Sequence, residues 1–285
     1  MPVVLACLAA LCFGAGLVTA RLGLREVDAR TGAAISVPTA AAFFIAVSAG
    51  WLDWSGFDAG AALVFALVGL FFPAAVTIIN FASTDRIGPS LTSSISGTTP
   101  LFAIVAAFAI LGEAIPARAL LAASGIMVGV GLMSWRRRAL DASAIGWWLL
   151  LPAAAAAIRG AAQVFAKGGL ALWPSPLAAT VIGYCVSAAV LLLADRLRAR
   201  RPARRPARST VLVFMATGLL NGVALMLTYV ALQRAPVAVV VPIVSAYPLV
   251  TLGLGAALLR EEVFSFRVAA GAMLTLAAVV FLVVG

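Results

Sequence analysis

Arg159 is the residue whose chemistry is hardest to explain from its surroundings. It follows five alanines and Ile158 inside a long apolar segment. The helix from Trp147 to Arg159 would cover roughly 18 Å, which reaches the middle of a hydrocarbon core about 30 Å thick. A guanidinium at that depth is costly and reaches the interface only with difficulty, so we treat it as a functional candidate.

No Asp or Glu lies inside the apolar segments to neutralise Arg159. The remaining counter-ions are water, the backbone carbonyls of interrupted helices, or an anionic substrate. A planar guanidinium binds a carboxylate or phosphate through two parallel hydrogen bonds, so we predict that Arg159 binds such a group. The alternative is a structural arginine that donates to carbonyls near Pro242 or Pro248.

Other polar side chains within apolar segments extend the candidate site. Gln163 lies one helical turn beyond Arg159 on the same face, and Lys167 lies one turn further. Lys167 is also explained as an end anchor whose ammonium reaches the interface. The stretch from Ser90 to Pro100 carries hydroxyls on every side, which soften a helix or line a wet cavity. The predicted substrate-binding residues are Arg159, Gln163, Asn80, Ser96, Thr99, Asn221, Tyr229, Ser245 and Tyr247.

Each hydroxyl or amide in that set has an alternative role, which is to form a hydrogen bond between helices.

Histidine is absent, and Cys7, Cys12 and Cys185 are scattered with no CxxC pair. These two facts exclude His-based triads, His zinc sites and disulfide frameworks, so we predict no metal and no cofactor.

The composition is typical of a polytopic helical membrane protein. Of the 285 residues, 64% are hydrophobic and 11% are charged, whereas a soluble domain averages roughly 45–50% and about 25%. Continuous apolar runs near the ~20 residues that a span needs exclude an outer-membrane barrel. We expect the first run to be retained, because no basic residue precedes it as in a signal peptide. Ten spans are predicted at 2–20, 31–50, 60–81, 89–111, 117–135, 144–172, 176–194, 209–232, 236–259 and 266–284.

The net charge of +10 comes mainly from arginines on one side of these spans. They cluster in the first, fifth and seventh connections, at Arg21, Arg25, Arg30, Arg136, Arg137, Arg138 and between Arg196 and Arg208. The positive-inside rule makes that side cytoplasmic, so both termini would be extracytoplasmic in the cell inner (plasma) membrane. The stretch from Arg196 to Arg208 is a short connector without an aromatic residue for base stacking, so we expect it to be a topology anchor, which can also contact anionic lipid, and not a nucleic-acid site.

An internal repeat relates the two halves of the sequence. Residues 69–135 match 218–284 at an offset of 148 or 149, with Gly69 on Gly218 and Pro100 on Pro248. Five spans per half is an odd number, so the halves must insert in opposite senses. Inverted repeats are typical of transporters, with the site near the midplane and proline-interrupted helices in matching positions. We predict repeats at 1–138 and 139–285.

Three motifs resemble the EamA-type transporters of the drug/metabolite transporter superfamily. They are Phe13-Gly14 in the first span, Tyr229-Val230-Ala231-Leu232 ending the eighth, and Pro100 leading into Gly112-Glu113. Arg260-Glu261-Glu262 replaces the Gly-Glu turn in the second half. The resemblance covers nearly the whole chain. It implies a ten-helix basket in which spans 1, 3, 4, 6, 8 and 9 surround a central cavity. It also implies export of a metabolite. Members of the family mostly have cytoplasmic termini, which is the opposite of the orientation that the arginine count predicts.

We therefore predict an all-α, alternating-access carrier for a small organic metabolite that bears a carboxylate or another anionic group. The alternatives are a channel or a non-transporting scaffold, and less favoured is an intramembrane enzyme, since acid–base groups are lacking. The GxxxG of Gly125 and Gly129 fits packing within the monomer or a homodimer. Glu113, Glu261 and Glu262 are predicted to cap helices or to pair with Arg118 and Arg267.

Overall fold

A computed structural model describes residues 1–87, 95–134, 150–197, 206–259 and 265–284, and these residues form twelve helices. In chain order they are α1 (Pro2–Gly23), α2 (Ala29–Trp51), α3 (Ala59–Phe71), α4 (Ala74–Ile87), α5 (Thr99–Leu111), α6 (Ala117–Ser134), α7 (Leu150–Leu172), α8 (Pro176–Leu197), α9 (Arg208–Leu232), α10 (Val237–Ser245), α11 (Tyr247–Leu259) and α12 (Phe266–Val284). The pairs α3–α4 and α10–α11 are each one interrupted span. The all-α architecture of ten spans is therefore confirmed.

Short connections with polar caps separate the helices. The carboxylate of Asp28 accepts from the Thr31 backbone N–H (2.9 Å) before α2, and that of Asp58 accepts from the Ala61 N–H (2.7 Å) before α3. Gly112 ends α5 with a φ of 65°, a left-handed conformation that suits glycine. These caps supply partners for backbone groups that the helix ends leave unpaired.

Seven stretches of the described residues are long and apolar enough to cross a membrane. The α7 helix is not one of them, although it has 23 residues, because it carries Arg159, Gln163 and Lys167. The helices α5 and α6 are shorter apolar helices. The α7 helix is therefore the long helix whose strongly polar side chains lower its hydropathy below that of the other spans of this length.

The packing of the two halves follows the inverted repeat. The α1 helix packs on α9 as α7 packs on α3, and α2 packs on α9 as α8 packs on α3. In the same way α1 contacts α10 and α11, and α7 contacts α5. Contacts between α2 and α8, and between α6 and α12, join equivalent helices. These contacts between the halves thus occur in matching pairs, as a two-fold relation requires.

The interruption between α3 and α4 was not predicted from the sequence. Pro73 has no N–H for the Gly69 carbonyl, so the hydroxyl of Ser187 on α8 donates to that carbonyl instead (2.6 Å). The same hydroxyl oxygen accepts from the Ala74 N–H (3.3 Å). One side chain therefore provides both partners that a continuous helix would have provided.

The GxxxG motif packs inside the monomer. A Cβ on Gly129 would lie 2.7 Å from the Gly271 carbonyl of α12 and would also meet the Thr275 hydroxyl, and a Cβ on Gly125 would lie 2.9 Å from the Ala278 Cβ. The α6 and α12 backbones approach closely only because these positions lack side chains. Of the two interpretations, the structure supports packing within the monomer.

Some sequence predictions lie outside the described residues. They include the repeat boundary at 138 and 139, the hydroxyls of Ser90 to Ser94, Arg136 to Arg138 and Arg198 to Arg205, and the Arg260-Glu261-Glu262 motif. The tryptophans lie at the ends of the predicted spans, where an indole is expected at the membrane interface, and of these Trp135, Trp147 and Trp148 also lie outside the described residues. Trp173 follows the end of α7, but it is 2% exposed and packs on Trp54, Phe57 and Phe65, so its indole is buried in the protein.

The Gly129→Ala substitution should destabilise the monomer by about 1–3 kcal/mol, because the added methyl group overpacks the α6–α12 contact. Thermal unfolding in detergent measures the effect. Gly131→Ala is the matched control, since a Cβ there meets no atom within 4 Å; it should be neutral or slightly stabilising. An unchanged melting temperature with a changed oligomeric mass would instead indicate a dimer contact.

Candidate functional site

A cavity of about 140 Å³ lies where the two halves meet. Its lining runs from the middle of α1, at Phe13, to the end of that helix, at Arg21 and Leu24. We call the side on which α1 ends and α9 begins the arginine-rich side, and the other side the opposite side. The lining residues are Phe13, Gly16, Leu17, Ala20, Arg21, Leu24, Phe72, Pro73, Val76, Thr77, Asn80, Ser96, Arg159, Tyr184, Asn221, Leu225 and Tyr247. The cavity thus reaches from mid-membrane to the arginine-rich side.

Arg159 lines this cavity from the middle of α7. Its Nε is buried and has no hydrogen-bond partner among the described residues. The lining contains a second arginine, Arg21, and no carboxylate among the residues that the structure describes. A buried guanidinium donor without a partner carries a desolvation cost, which an anion in the cavity would offset.

Amides and hydroxyls line the same cavity as Arg159. The Ser96 hydroxyl donates to the Asn80 side-chain carbonyl at 3.3 Å. On the other wall the Asn221 amide packs against α1 at Gly16, where a Cβ would overlap its oxygen. The ring of Tyr247 lies 6.4 Å from that of Phe13, centroid to centroid. The walls therefore combine neutral polar groups with apolar and aromatic surface.

The structure brings together five of the nine predicted site residues and places four elsewhere. Lining the cavity are Arg159, Asn80, Ser96, Asn221 and Tyr247. Buried within the helix packing, outside this lining, are Gln163, Thr99, Tyr229 and Ser245. Gln163 shares the α7 face with Arg159, and its Oε1 has no partner among the described residues.

Thr99 has a backbone role at the interruption before α5. Pro100 has no N–H for the Ser96 carbonyl, and the Thr99 hydroxyl donates to that carbonyl at 2.7 Å. Thr99 is 2% exposed. Its position next to Pro100 made it resemble a site residue, but its hydroxyl already has a partner.

Sequence reasoning missed several lining residues, of which Tyr184 is the most distinctive. It is 3% exposed, and its ring stacks on Phe44 at a centroid distance of 6.1 Å. A tyrosine in the centre of an apolar span was the available signal. Thr77, and the pair Phe72-Pro73 at the interruption between α3 and α4, also line the cavity.

On the opposite side the helices are closed. Lys167 Nζ lies 2.5 Å from Glu113 Oε1 and donates to the Ala235 carbonyl at 2.8 Å. Glu113 Oε2 accepts from the Val237 N–H (2.9 Å) at the start of α10. The predicted capping role of Glu113 is confirmed, and its ion-pair partner is Lys167.

The described residues contain no group of His, Cys, Asp or Glu side chains arranged to hold a metal ion. The described cysteines Cys7, Cys12 and Cys185 are free thiols. The lining residues of the cavity offer hydrogen bonds, the charge of Arg159 and apolar contact.

Comparison with known proteins identifies a protein family whose profile matches this sequence. The profile of the "EamA-like transporter family" matches residues 1–135 and 146–284. No curated protein matches the sequence. A solved structure described only as "Crystal structure of protein" is similar over 97% of this chain and 94% of its own, with a TM-score of 0.81 and 18% identity. At that identity the likeness shows the fold alone.

Thr99→Val should lower the stability of the protein by about 1–3 kcal/mol, because the buried Ser96 carbonyl loses its hydroxyl donor. Thermal unfolding in detergent checks this. Thr39→Val is the control. The Thr39 hydroxyl donates to the Ile35 carbonyl (2.7 Å), but position 39 also has the backbone N–H that Pro100 lacks, so the Ile35 carbonyl does not depend on the hydroxyl. Equal effects of the two substitutions would contradict the assigned role.

Proposed function

The chain belongs to the EamA-like transporter family, and we propose that it is an alternating-access carrier for a small organic metabolite that bears a carboxylate or another anionic group. Membrane transport and a small-molecule substrate follow from the family, which is not a family of enzymes. The substrate class and the direction of transport are proposed here.

The single observation that carries the substrate class is the unpartnered Nε of Arg159 in the cavity. Burying a charge in the membrane is costly unless it is paired, and the described lining provides no carboxylate to pair it. A substrate carboxylate would accept the guanidinium hydrogen bonds and lower that cost while it is bound. An organic cation would be repelled by Arg159.

The dimensions of the cavity favour a small substrate. A protein cavity of about 150 Å³ is just large enough to hold one benzene molecule, and this cavity is of similar size, at about 140 Å³. Asn80 and Asn221 offer hydrogen bonds to neutral polar groups, and Phe13 and Leu225 offer apolar contact. These walls favour an organic acid with some apolar surface over a bare inorganic anion.

We also propose export from the cytoplasm across the cell inner (plasma) membrane. The excess of arginine on the side that the cavity reaches supports a cytoplasmic location for that side. A metabolite would then enter the cavity from the cytoplasm. The same assignment makes both termini extracytoplasmic.

Arg159→Gln should abolish saturable counterflow of small carboxylates in proteoliposomes while the protein remains folded, because the anion loses its cationic partner. Arg159→Lys should retain a fraction, since a lysine keeps the charge but not the planar pair of donors. Arg208→Gln, which removes an exposed arginine at the start of α9, is the matched control and should leave counterflow unchanged.

The substrate panel should contain small carboxylates, amino acids and organic cations, with ligand-induced thermal shifts measured in parallel. Unchanged carboxylate counterflow in Arg159→Gln, or a preference for cations, would overturn the proposed substrate class. Conductance without saturable counterflow would instead favour the channel.

The proposed orientation predicts that alkaline phosphatase fused after Gly285 is active in cells and that a green fluorescent protein fused there is dark, because the C-terminus would be extracytoplasmic. Fusions after Leu197, at the end of α8 on the arginine-rich side, should show the reverse pattern. A fluorescent C-terminal fusion with inactive phosphatase would establish the opposite orientation and remove the support for export.

A further inference from the structure

We infer that Lys167 and Glu113 form a latch that holds the opposite side closed while the cavity is accessible from the arginine-rich side. The inference rests on the transport function that the family shows, and not on the identity of the substrate. It assigns to these two residues a role in the transport cycle in addition to their role in packing.

The latch joins separate parts of the fold at one point. Lys167 belongs to α7, and Glu113 belongs to the connection between α5 and α6; their ion pair measures 2.5 Å. Lys167 also donates to the Ala235 carbonyl, and Glu113 accepts from the Val237 N–H. The pair therefore ties α7 to the α5–α6 connection at the point where the chain enters α10.

The surroundings of Lys167 and Glu113 strengthen the electrostatic interactions that these two side chains make. The side chains of Lys167 and Glu113 are 21% and 17% exposed, so water screens them less than it screens a surface pair. Glu113 also lies at the N-terminus of α10, where the helix dipole favours a carboxylate. The ion pair requires α7 to lie beside the α5–α6 connection, and the dipole effect requires that connection to lie beside the start of α10, so together they hold these three parts of the closed arrangement in place.

The helix that carries the latch also carries the proposed substrate-binding arginine. Arg159 and Lys167 lie two turns apart on one face of α7, with Gln163 between them. A helix moves as a rigid element, so a shift of α7 at Arg159 is transmitted to Lys167. Occupancy of the cavity and closure of the opposite side are thereby coupled through a single helix.

The inverted repeat identifies the counterpart of Lys167. Gly23 of α1 lies against the ring of Phe214, and Gly169 of α7 lies against the ring of Phe65. The two phenylalanines match at the repeat offset, so Gly23 and Gly169 occupy equivalent places. Gly14 of α1 packs against α11 in the same way as Gly160 of α7 packs against α5. These two glycines are separated by the same number of residues as Gly23 and Gly169.

In this register Arg21 of α1 is the counterpart of Lys167 of α7. Lys167 lies at a closed end of the molecule, and Arg21 lies at the end of the cavity on the other side. The two equivalent cations thus lie at opposite ends of the molecule, one at the closed side and one in the wall of the cavity. Alternating access exchanges the conformations of the two halves, so opening of the opposite side requires the Lys167–Glu113 pair to separate.

The test measures cysteine accessibility in lipid nanodiscs, where both faces are exposed to a membrane-impermeant maleimide. In a background with Cys7, Cys12 and Cys185 replaced by serine, one reporter is Val240→Cys, at a buried position one turn into α10 behind the latch. The other reporter is Thr77→Cys, in the cavity. Latch variants are Lys167→Met, which removes the charge at similar size, and Glu113→Gln, whose amide oxygen still accepts from Val237.

We expect Lys167→Met and Glu113→Gln to accelerate labelling at position 240 by about fivefold or more and to slow labelling at position 77, because the population shifts toward the conformation open to the opposite side. Lys167→Arg keeps the charge and should behave as the parent. Gln233→Ala is the matched control: it removes a neutral hydrogen bond to the Pro174 carbonyl (2.8 Å) on the same side and should change neither rate.

Three results would overturn the latch. They are unchanged rates at both positions, faster labelling at both positions, which indicates loosened packing, and an equal effect of Gln233→Ala. None of these results depends on a substrate, so failure of the latch leaves the proposed carboxylate transport standing. Conversely, loss of carboxylate transport in Arg159→Gln says nothing about labelling at position 240.

Discussion

The need to satisfy every backbone polar group inside a membrane decides where this chain can interrupt its helices. Pro73 and Pro100 each remove an N–H in mid-span, and a hydroxyl compensates in both places: Ser187 at the Gly69 carbonyl and Thr99 at the Ser96 carbonyl. Pro73 and Pro100 are both buried, so the interruptions lie in the interior and not against lipid. There the helices separate, and the interrupted backbone becomes part of the wall of the cavity.

The two cationic side chains of α7 lie in different surroundings, and the difference indicates which of them has a packing role and which is available to a ligand. Lys167 is near the end of the helix, where Glu113 and the Ala235 carbonyl meet its ammonium. Arg159 is in the middle, where its Nε has no partner among the described residues. A charge that the fold has paired restrains the conformation, whereas a charge left in a cavity is available to a ligand. Their positions along α7 place the first on one side of the molecule and the second near its centre.

Hydropathy predicted the spans well, because burying a helix in lipid requires a long apolar run wherever the chain crosses. The start and end of α9 and α12, for example, agree with the predicted segments to within one residue. The prediction of site residues was less complete. Arg159 was identifiable because a charge in an apolar run has few alternatives. Thr99 and Tyr229 were indistinguishable from lining residues, since a hydroxyl in a helix gives no sign of the face on which its neighbours lie.

The sequence by itself determined the number of spans, the opposite insertion of the two halves, the lack of histidine chemistry and the isolation of one arginine at membrane depth. These are properties of composition and order along the chain, which hydrophobic burial and an odd number of spans convert directly into architecture. Only the tertiary structure decided that Tyr184 and Thr77 share a cavity with Arg159, and that Lys167 meets Glu113. These contacts depend on the rotation of each helix about its own axis, and that rotation is set by packing between helices far apart in the chain.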